Sequence, residues 1–351
     1  MTDEALLAAL RRRGAQLAEV EGCAVAASFG DAAGEYRALR ERAAMIDMPW
    51  LGRLHVTGGD RVDFLQGMLS NDIKGLTVGT GCPALLLTEQ GKTVADLIVL
   101  ASEDAIALAG IAASLVAAQV ALERFLVADD VEVVPAGAAE RSFALLGPGA
   151  ADVMARLGVA VPASPYDHVR TEVGGAALHV VRVPAPGVGG FLCHVSANAA
   201  TAWWETCLDV GGAVAVGYDA FDVLRIESGV PWHGRDVTAD TLALEAPYEA
   251  AISFRKGCYL GQEVMERVSA RGHVNRKLVG LEVAGDVAPA AGARLRAGDR
   301  EVGWITSAAR SWRFGCVLAL AYVRRERLEA GTALVVGDGP GTLATVRALP
   351  F

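Results

Sequence analysis

The texture of the chain changes once, near residues 270–276, and that change limits what it can fold into. Before it, stretches with apolar residues at helical spacing alternate with short apolar runs. After it only short alternating runs remain, at 278–283, 301–307, 317–323, 333–336 and 342–349, punctuated by Gly and Pro. Closely spaced strands without helices bury their apolar faces by closing into a small barrel or stacking as a sandwich. A β unit is therefore expected over 271–351. The 351 residues are also too many for one ordinary core, so at least one further unit precedes it.

The first 270 residues read as α+β. Residues 4–20 carry a helical pattern with Leu6, Leu7, Leu10 and Leu17 on one side, and 35–44 form a second, charge-rich helix. Residues 52–59 alternate like a strand, and Asp60 stands where it would cap a helix bearing Val62, Phe64, Leu65 and Leu69. The runs 84–87, 95–100 and 105–108 suggest antiparallel sheet, followed by a strong helix at 112–127 and a strand at 131–134. Pro135-Ala-Gly137 marks a boundary. A strand at 142–146, a helix from Pro148 to 157, strands at 177–183 and 191–195, and a helix at 197–210 then give the rhythm of a ferredoxin-like unit. Residues 218–228 form one more helix. The expected units are 1–137, 138–270 and 271–351, with interleaving of the first two allowed.

A net charge of −9 argues against general affinity for a nucleic-acid backbone. Six cysteines, at 23, 82, 193, 207, 258 and 316, show no CxxC and no framework spacing, which fits a reducing compartment. The first residues lack the pattern of a secretory signal, and no run of about 18 apolar residues exists to cross a membrane. A cytoplasmic protein is expected.

The densest chemistry lies in Lys256-Gly-Cys-Tyr-Leu-Gly-Gln-Glu263. Cys258 sits between glycines, and the cations Arg255 and Lys256 precede it, a setting that favours thiolate. The plain alternative is a buried cysteine in a tight turn. His233 and His273 are the histidines a fold would have to bring to Cys258 to act as its base; each reads equally well as an ordinary histidine. No His/Cys/Asp/Glu group has zinc-site spacing, and Cys193 and His194, adjacent on a strand, face opposite ways. The Gly187–Gly190 and Gly337–Gly341 segments lack a phosphate-loop pattern and read as turns. Asp96 heads the apolar run 97–100; it reads as a carboxylate facing a cavity or, more simply, as a solvent-facing strand residue.

Phe64-Leu-Gln-Gly67, Ser70-Asn-Asp72, the 256–263 motif and Arg271-Gly-His-Val-Asn-Arg276 together resemble the YgfZ-type folate-binding proteins. These assist iron–sulfur enzymes and are relatives of the glycine-cleavage T-protein, an aminomethyltransferase. Weaker likeness, from Gly30-Asp31 to Leu349-Pro-Phe351, extends the resemblance over nearly the whole chain. It implies a ring of three subdomains, two α+β (the second ferredoxin-like) and a C-terminal β-barrel, around a hole that receives tetrahydrofolate or a derivative. It further implies Cys258 as the functional thiol, with Lys256 beside it. The folate-binding candidates are Trp50, Asn71, Asp72, Tyr259, Gln262 and Glu263; Trp50 would either stack on the ligand or belong to the core. Reduced folate and iron–sulfur enzymes or cluster carriers are the implied partners, with no resident metal.

Two departures from T-proteins stand out. Their Asp-Asp pair, one member of which is catalytic, is here Ala95-Asp96. Their Gly-Glu-x-Gly-aromatic-Glu segment, which grips the pterin, is here Gly187-Val-Gly-Gly-Phe-Leu192, with Val188 and Leu192 in the acid positions. An accessory role in iron–sulfur assembly or repair through Cys258 is thus the first expectation. A tetrahydrofolate-dependent aminomethyltransferase or demethylase using Asp96 is the alternative, and a scaffold that binds no folate is the third.

Overall fold

The computed structural model describes residues 2–184, 187–337 and 341–351. Residues 338–340 of the Gly337–Gly341 segment lie outside them. The chain opens with α1 (Thr2–Arg12), which buries Leu6 and Leu10. The helix stops short of residue 20: Gly14 adopts φ +89°, a conformation that ends helices, and a hairpin of β1 (Gln16–Val20) and β2 (Cys23–Ser28) follows. Asp31 caps α2 (Ala32–Glu41), its carboxylate accepting from the Gly34 N–H at 2.9 Å. Residues 44–47 form the wholly buried strand β3 (Ala44–Asp47) instead of the last turn of a helix.

The first complete unit runs β4 (Leu51–Thr57), α3 (Arg61–Met68), β5 (Gly81–Leu87), β6 (Thr93–Ala101), β7 (Ile106–Ile111), α4 (Ala112–Glu123), β8 (Glu132–Pro135). Its antiparallel sheet has the order β5-β6-β7-β4-β8, and both helices pack on one face over Leu54, Leu65, Ala95, Leu97, Val99 and Leu115. Alternation along β6 turns Asp96, Ile98 and Leu100 to the other face. Asp60 does not cap α3 with its side chain; its carboxylate accepts from the Asp130 N–H at 2.9 Å and ties the helix entry to the approach to β8.

The second unit repeats that sequence of elements: β9 (Glu140–Leu146), α5 (Ala150–Arg156), β10 (His168–Val173), β11 (Ala176–Val183), β12 (Gly190–Ser196), α6 (Ala200–Asp209), β13 (Val214–Ala215). The sheet order is β10-β11-β12-β9-β3-β13, the topology of the first sheet with β3 inserted between its first and last strands. Without β10 and β3 this is the ferredoxin-like arrangement expected for the region. The N-terminal strand β3 thus lies inside the sheet of residues 140–215, antiparallel to β9 and parallel to β13. Trp203, Trp204 and Cys207 of α6 are buried in the core below the sheet.

After α7 (Tyr218–Glu227) comes an irregular segment, then α8 (Gln262–Arg271), which the sequence pattern did not suggest. The barrel consists of β14 (Arg276–Val283), β15 (Arg294–Ala297), β16 (Arg300–Arg310), β17 (Val317–Arg324), β18 (Ala333–Val336) and β19 (Thr342–Arg347), closed by pairing of β19 with β14. Among the described residues no helix is long and apolar enough to cross a membrane.

α7 joins the units. Arg225 is 2% exposed and its guanidinium is fully engaged: Nε donates to Asp222 (2.8 Å), Nη1 to Asp236 (2.7 Å) and to the Val230 carbonyl (2.9 Å), Nη2 to Ser307 (3.0 Å). Asp236 in turn accepts from the Trp232 N–H at 2.8 Å and from the Ser307 and Thr306 hydroxyls of β16. One buried ion pair therefore holds the helix, the 230–237 loop and the barrel. Asp236→Ala, which strands the guanidinium, should lower unfolding free energy by about 3–5 kcal/mol in denaturant titration; a loss below about 1 kcal/mol would mean the pair behaves like a surface contact.

Candidate functional site

A cavity of about 700 Å³ lies where the units meet, within the range of roughly 300–1,000 Å³ usual for organic ligands. Leu85, Asp96 and Ile98 come from the first sheet, Ala144 and Leu192 from the second, Phe221 from α7, Trp232 and His233 from the following loop, and Arg313 and Phe351 from the barrel end. The terminal Phe351 reaches this place because Gly280 has no Cβ: one built there would stand 2.6 Å from the Phe351 ring.

Trp50 serves both of its expected roles. It is 2% exposed and packed against Tyr218 (5.5 Å), Trp232 (5.5 Å) and Phe221 (6.0 Å), yet one of its faces forms cavity wall. Asp96 is not solvent-facing. Its Oδ2 accepts from the Tyr248 hydroxyl at 3.2 Å, while Oδ1 is shielded and has no hydrogen-bond partner. Burial raises its pKa above the usual carboxylate range, against the opposing pull of nearby His233 and the Tyr248 hydrogen bond. Burial, and then the Asp96 charge, pushes Tyr248 well above the ordinary tyrosine value. His233 stands in this cluster and its Nε2 is also unpartnered. Neither Tyr248 nor the pairing of His233 with Asp96 was legible in the sequence. Val188 packs on the core and Leu192 lines the cavity, so neither brings a carboxylate.

The 256–263 motif lies elsewhere. Lys256 does not serve the thiol: Nζ donates to the Gln66 (2.6 Å), Leu69 (2.5 Å) and Asn71 (2.8 Å) carbonyls where α3 ends, and lies 5.2 Å from the Tyr259 ring centre. Burial brings its pKa down to about 8, with Asp72 acting in the other direction. Tyr259 is buried beside Leu85, Leu87 and Met265. Gly261 adopts φ +84° and approaches the β5–β6 turn so closely that a Cβ would meet the Thr88 carbonyl at 2.5 Å. Gln262 Oε1 accepts from the Tyr259 N–H at 3.1 Å, and exposed Glu263 pairs with Arg267 at 2.5 Å. Asp72 accepts from Gln66 at 3.0 Å, and Asn71 donates to the Pro83 and Ala250 carbonyls, which border the cavity. Lys256, Cys258, Tyr259, Gln262, Glu263, Asn71 and Asp72 are all absent from the cavity lining among the described residues. Cys258 is exposed. His273 is exposed beyond α8.

A polar seam ties the two sheets. Arg53 of β4 binds Glu140 of β9 through Nε (2.8 Å) and Nη2 (2.5 Å), and its Nη1 meets His179 Nδ1 at 2.5 Å. Because Arg53 can only donate, His179 must carry its proton on Nε2, which passes it to His168 Nδ1 at 2.9 Å; His168 Nε2 then donates to the Ala101 carbonyl at 3.0 Å. Burial and the adjacent Arg53 bring the His179 pKa down to about 2, so the relay is neutral.

The chain matches the family profile described as the GCVT N-terminal domain over residues 6–256, and the glycine cleavage T-protein C-terminal barrel domain over 276–351. An aminomethyltransferase of Saccharopolyspora erythraea is 31% identical over 357 residues, with 96% of this chain and 94% of that protein covered. One from Geobacillus sp. is 29% identical over 354 residues, covering 99% and 97%. The crystal structure of glycine cleavage system aminomethyltransferase T from Bartonella henselae superposes with a TM-score of 0.90 at 24% identity, covering 99% of this chain and 96% of that one.

Thiol labelling separates motif from cavity. Cys258 should be the fastest-reacting cysteine, the fast phase should vanish in Cys258→Ser, and saturating tetrahydrofolate should change its rate by less than about twofold. Strong protection by the ligand would place the thiol at the pocket instead.

Proposed function

The chain belongs to the glycine cleavage T-protein family, and on that premise we propose that it carries out tetrahydrofolate-dependent one-carbon chemistry on an amine in the central cavity. This is the second of the two activities expected from the sequence. The observation that carries it is Asp96: the one carboxylate on the cavity wall with an oxygen left unmatched. The relatives' name, aminomethyltransferase, points the same way.

The wall fits a reduced folate: apolar and aromatic surface from Trp50 and Phe221, and an orphaned acceptor on Asp96. Tetrahydrofolate, the substrate of the family's aminomethyltransferases, supplies the nitrogen that takes up the one-carbon unit. Asp96 Oδ1 accepts from an N–H of the reacting amine, and Tyr248 holds Oδ2 so that the carboxylate keeps its direction. Burial makes that carboxylate a stronger acceptor than one in water, and the closed apolar wall excludes water from it. With Val188 and Leu192 where T-proteins carry acids, the ring is held mainly by stacking and shape, at a loss of roughly 1.5–3 kcal/mol for the missing charge-assisted contact.

A second reading keeps the accessory role towards iron–sulfur enzymes or cluster carriers. It is favoured by Cys258 itself, an exposed thiol on a loop that Lys256 holds stiffly, outside the cavity. If Cys258→Ser complements cluster-enzyme activities as fully as wild type, the thiol has no such part.

Asp96→Asn tests the first reading. Turnover of an aminomethyl or methyl donor with tetrahydrofolate should fall by about a hundredfold or more, and unchanged turnover would remove Asp96 from the chemistry. Since its folded pKa lies above the unfolded value, the folded apo protein binds this proton more tightly than the unfolded chain. The carboxylate therefore lowers apo stability above that window, and the amide variant should melt higher at neutral pH, by on the order of 1 kcal/mol. Ligand affinity in wild type should weaken on acidification at a pH above the ordinary carboxylate range, a dependence the variant lacks.

A further inference from the structure

The polar groups of the cavity wall form two sets. Asp96, Tyr248 and His233 make one. The other comes from different elements: Arg40 of α2, Glu227 at the end of α7, and Arg313 in the β16–β17 turn. Glu227 is already satisfied, accepting from the Tyr36 hydroxyl at one oxygen and from Ser311 (2.6 Å) at the other, with Arg40 at 3.9 Å. The third arginine on the wall, Arg225, has every nitrogen engaged. Arg40 has only that distant carboxylate. Among the described residues Arg313 has no carboxylate partner at all; its guanidinium rests 4.8 Å from the Phe314 ring centre. Two guanidiniums against one shared carboxylate leave this part of the wall positive.

The same turn exposes aromatic surface. Trp312 and Phe314 are 40% and 39% exposed, and Trp312 packs at 5.3 Å against Tyr36. Aromatic rings left in water beside unpaired guanidiniums are the complement of an aryl group that carries carboxylates: the ring stacks, and the planar cations bind carboxylates in pairs of hydrogen bonds. Folates carry that group as their aminobenzoyl-glutamate tail.

We propose that Arg40 and Arg313 form a subsite for the glutamate carboxylates of the bound folate, with Trp312 and Phe314 flanking its aryl ring. The inference rests on the tetrahydrofolate reading and adds an orientation to it. The anionic end lies between α2 and the barrel, which leaves the reacting end to Asp96. Each added glutamate brings another carboxylate to the same positive surface, so polyglutamylated folates are the preferred class.

Calorimetric titration of the full chain with tetrahydrofolate, its triglutamate and tetrahydropteroate, which lacks glutamate, tests this in wild type, Arg40→Gln, Arg313→Gln and the double variant. Wild type should bind tetrahydrofolate about tenfold or more tightly than tetrahydropteroate, and the triglutamate more tightly still. The double variant should reduce the tetrahydrofolate preference to about twofold or less without weakening tetrahydropteroate. Arg313 is on an exposed turn, so Arg313→Gln keeps the test valid if Arg40→Gln perturbs folding. Added salt should weaken tetrahydrofolate more than tetrahydropteroate. Equal wild-type affinity for the two, or an undiminished preference in the double variant, overturns the subsite and leaves the folate reading standing. If none of the three ligands binds wild type, the folate reading falls and the subsite with it.

Discussion

The architecture depends on a charge that has no contact with water. Arg225 is held by Asp222, Asp236, a carbonyl and a serine hydroxyl, and Asp236 is held by two hydroxyls and a backbone N–H. Such a pair is costly to desolvate and repays that only when every donor and acceptor is matched. Here they are matched by three separate pieces of chain: α7, the loop after it, and β16 of the barrel. The pair is satisfied only when those pieces are correctly placed, so it discriminates against other dockings of the barrel more than it adds net stability. The cavity, whose wall is taken from all of them, inherits its shape from that one arrangement.

The two features that drew attention in the sequence are separated in space. Asp96 faces the cavity, whereas the 256–263 motif is a surface loop anchored from below. The anchoring explains most of that motif without chemistry. Lys256 satisfies three carbonyls at the end of α3, Tyr259 fills a core, Gly261 permits close approach to a turn, and Gln262 fixes the start of α8. Only Cys258, at the exposed part of the loop, is left without a structural task.

Elements with strong periodicity were legible from residues alone. The long barrel strands alternate cleanly, and the second unit showed its ferredoxin-like order. The misses have physical causes. β10 and β15 are polar edge or short strands, with one deeply buried side chain each, so alternation is hard to see. α8 buries little besides Met265. Strand parity placed Asp96 and Ala95 on opposite faces, but parity does not tell what lies opposite a face, and the cavity is made by chain more than a hundred residues away. Arg225 looked like the polar side of an amphipathic helix. Its burial follows from the barrel docking on that side, which no local pattern records.

The insertion of β3 has a consequence for how the chain is made. β3 leaves the ribosome before its neighbours: Ala44 pairs with Leu146 of β9 and Val214 of β13, and the whole first unit is synthesised in between. That unit contains all its own strands and can close as it emerges, at translation speeds of about 5–20 residues per second. The N-terminal segment meanwhile carries a fully apolar strand with both edges open for seconds. Nascent protein is therefore most exposed to mispairing and to capture by holding chaperones in this interval, and the hazard ends only when β13 arrives.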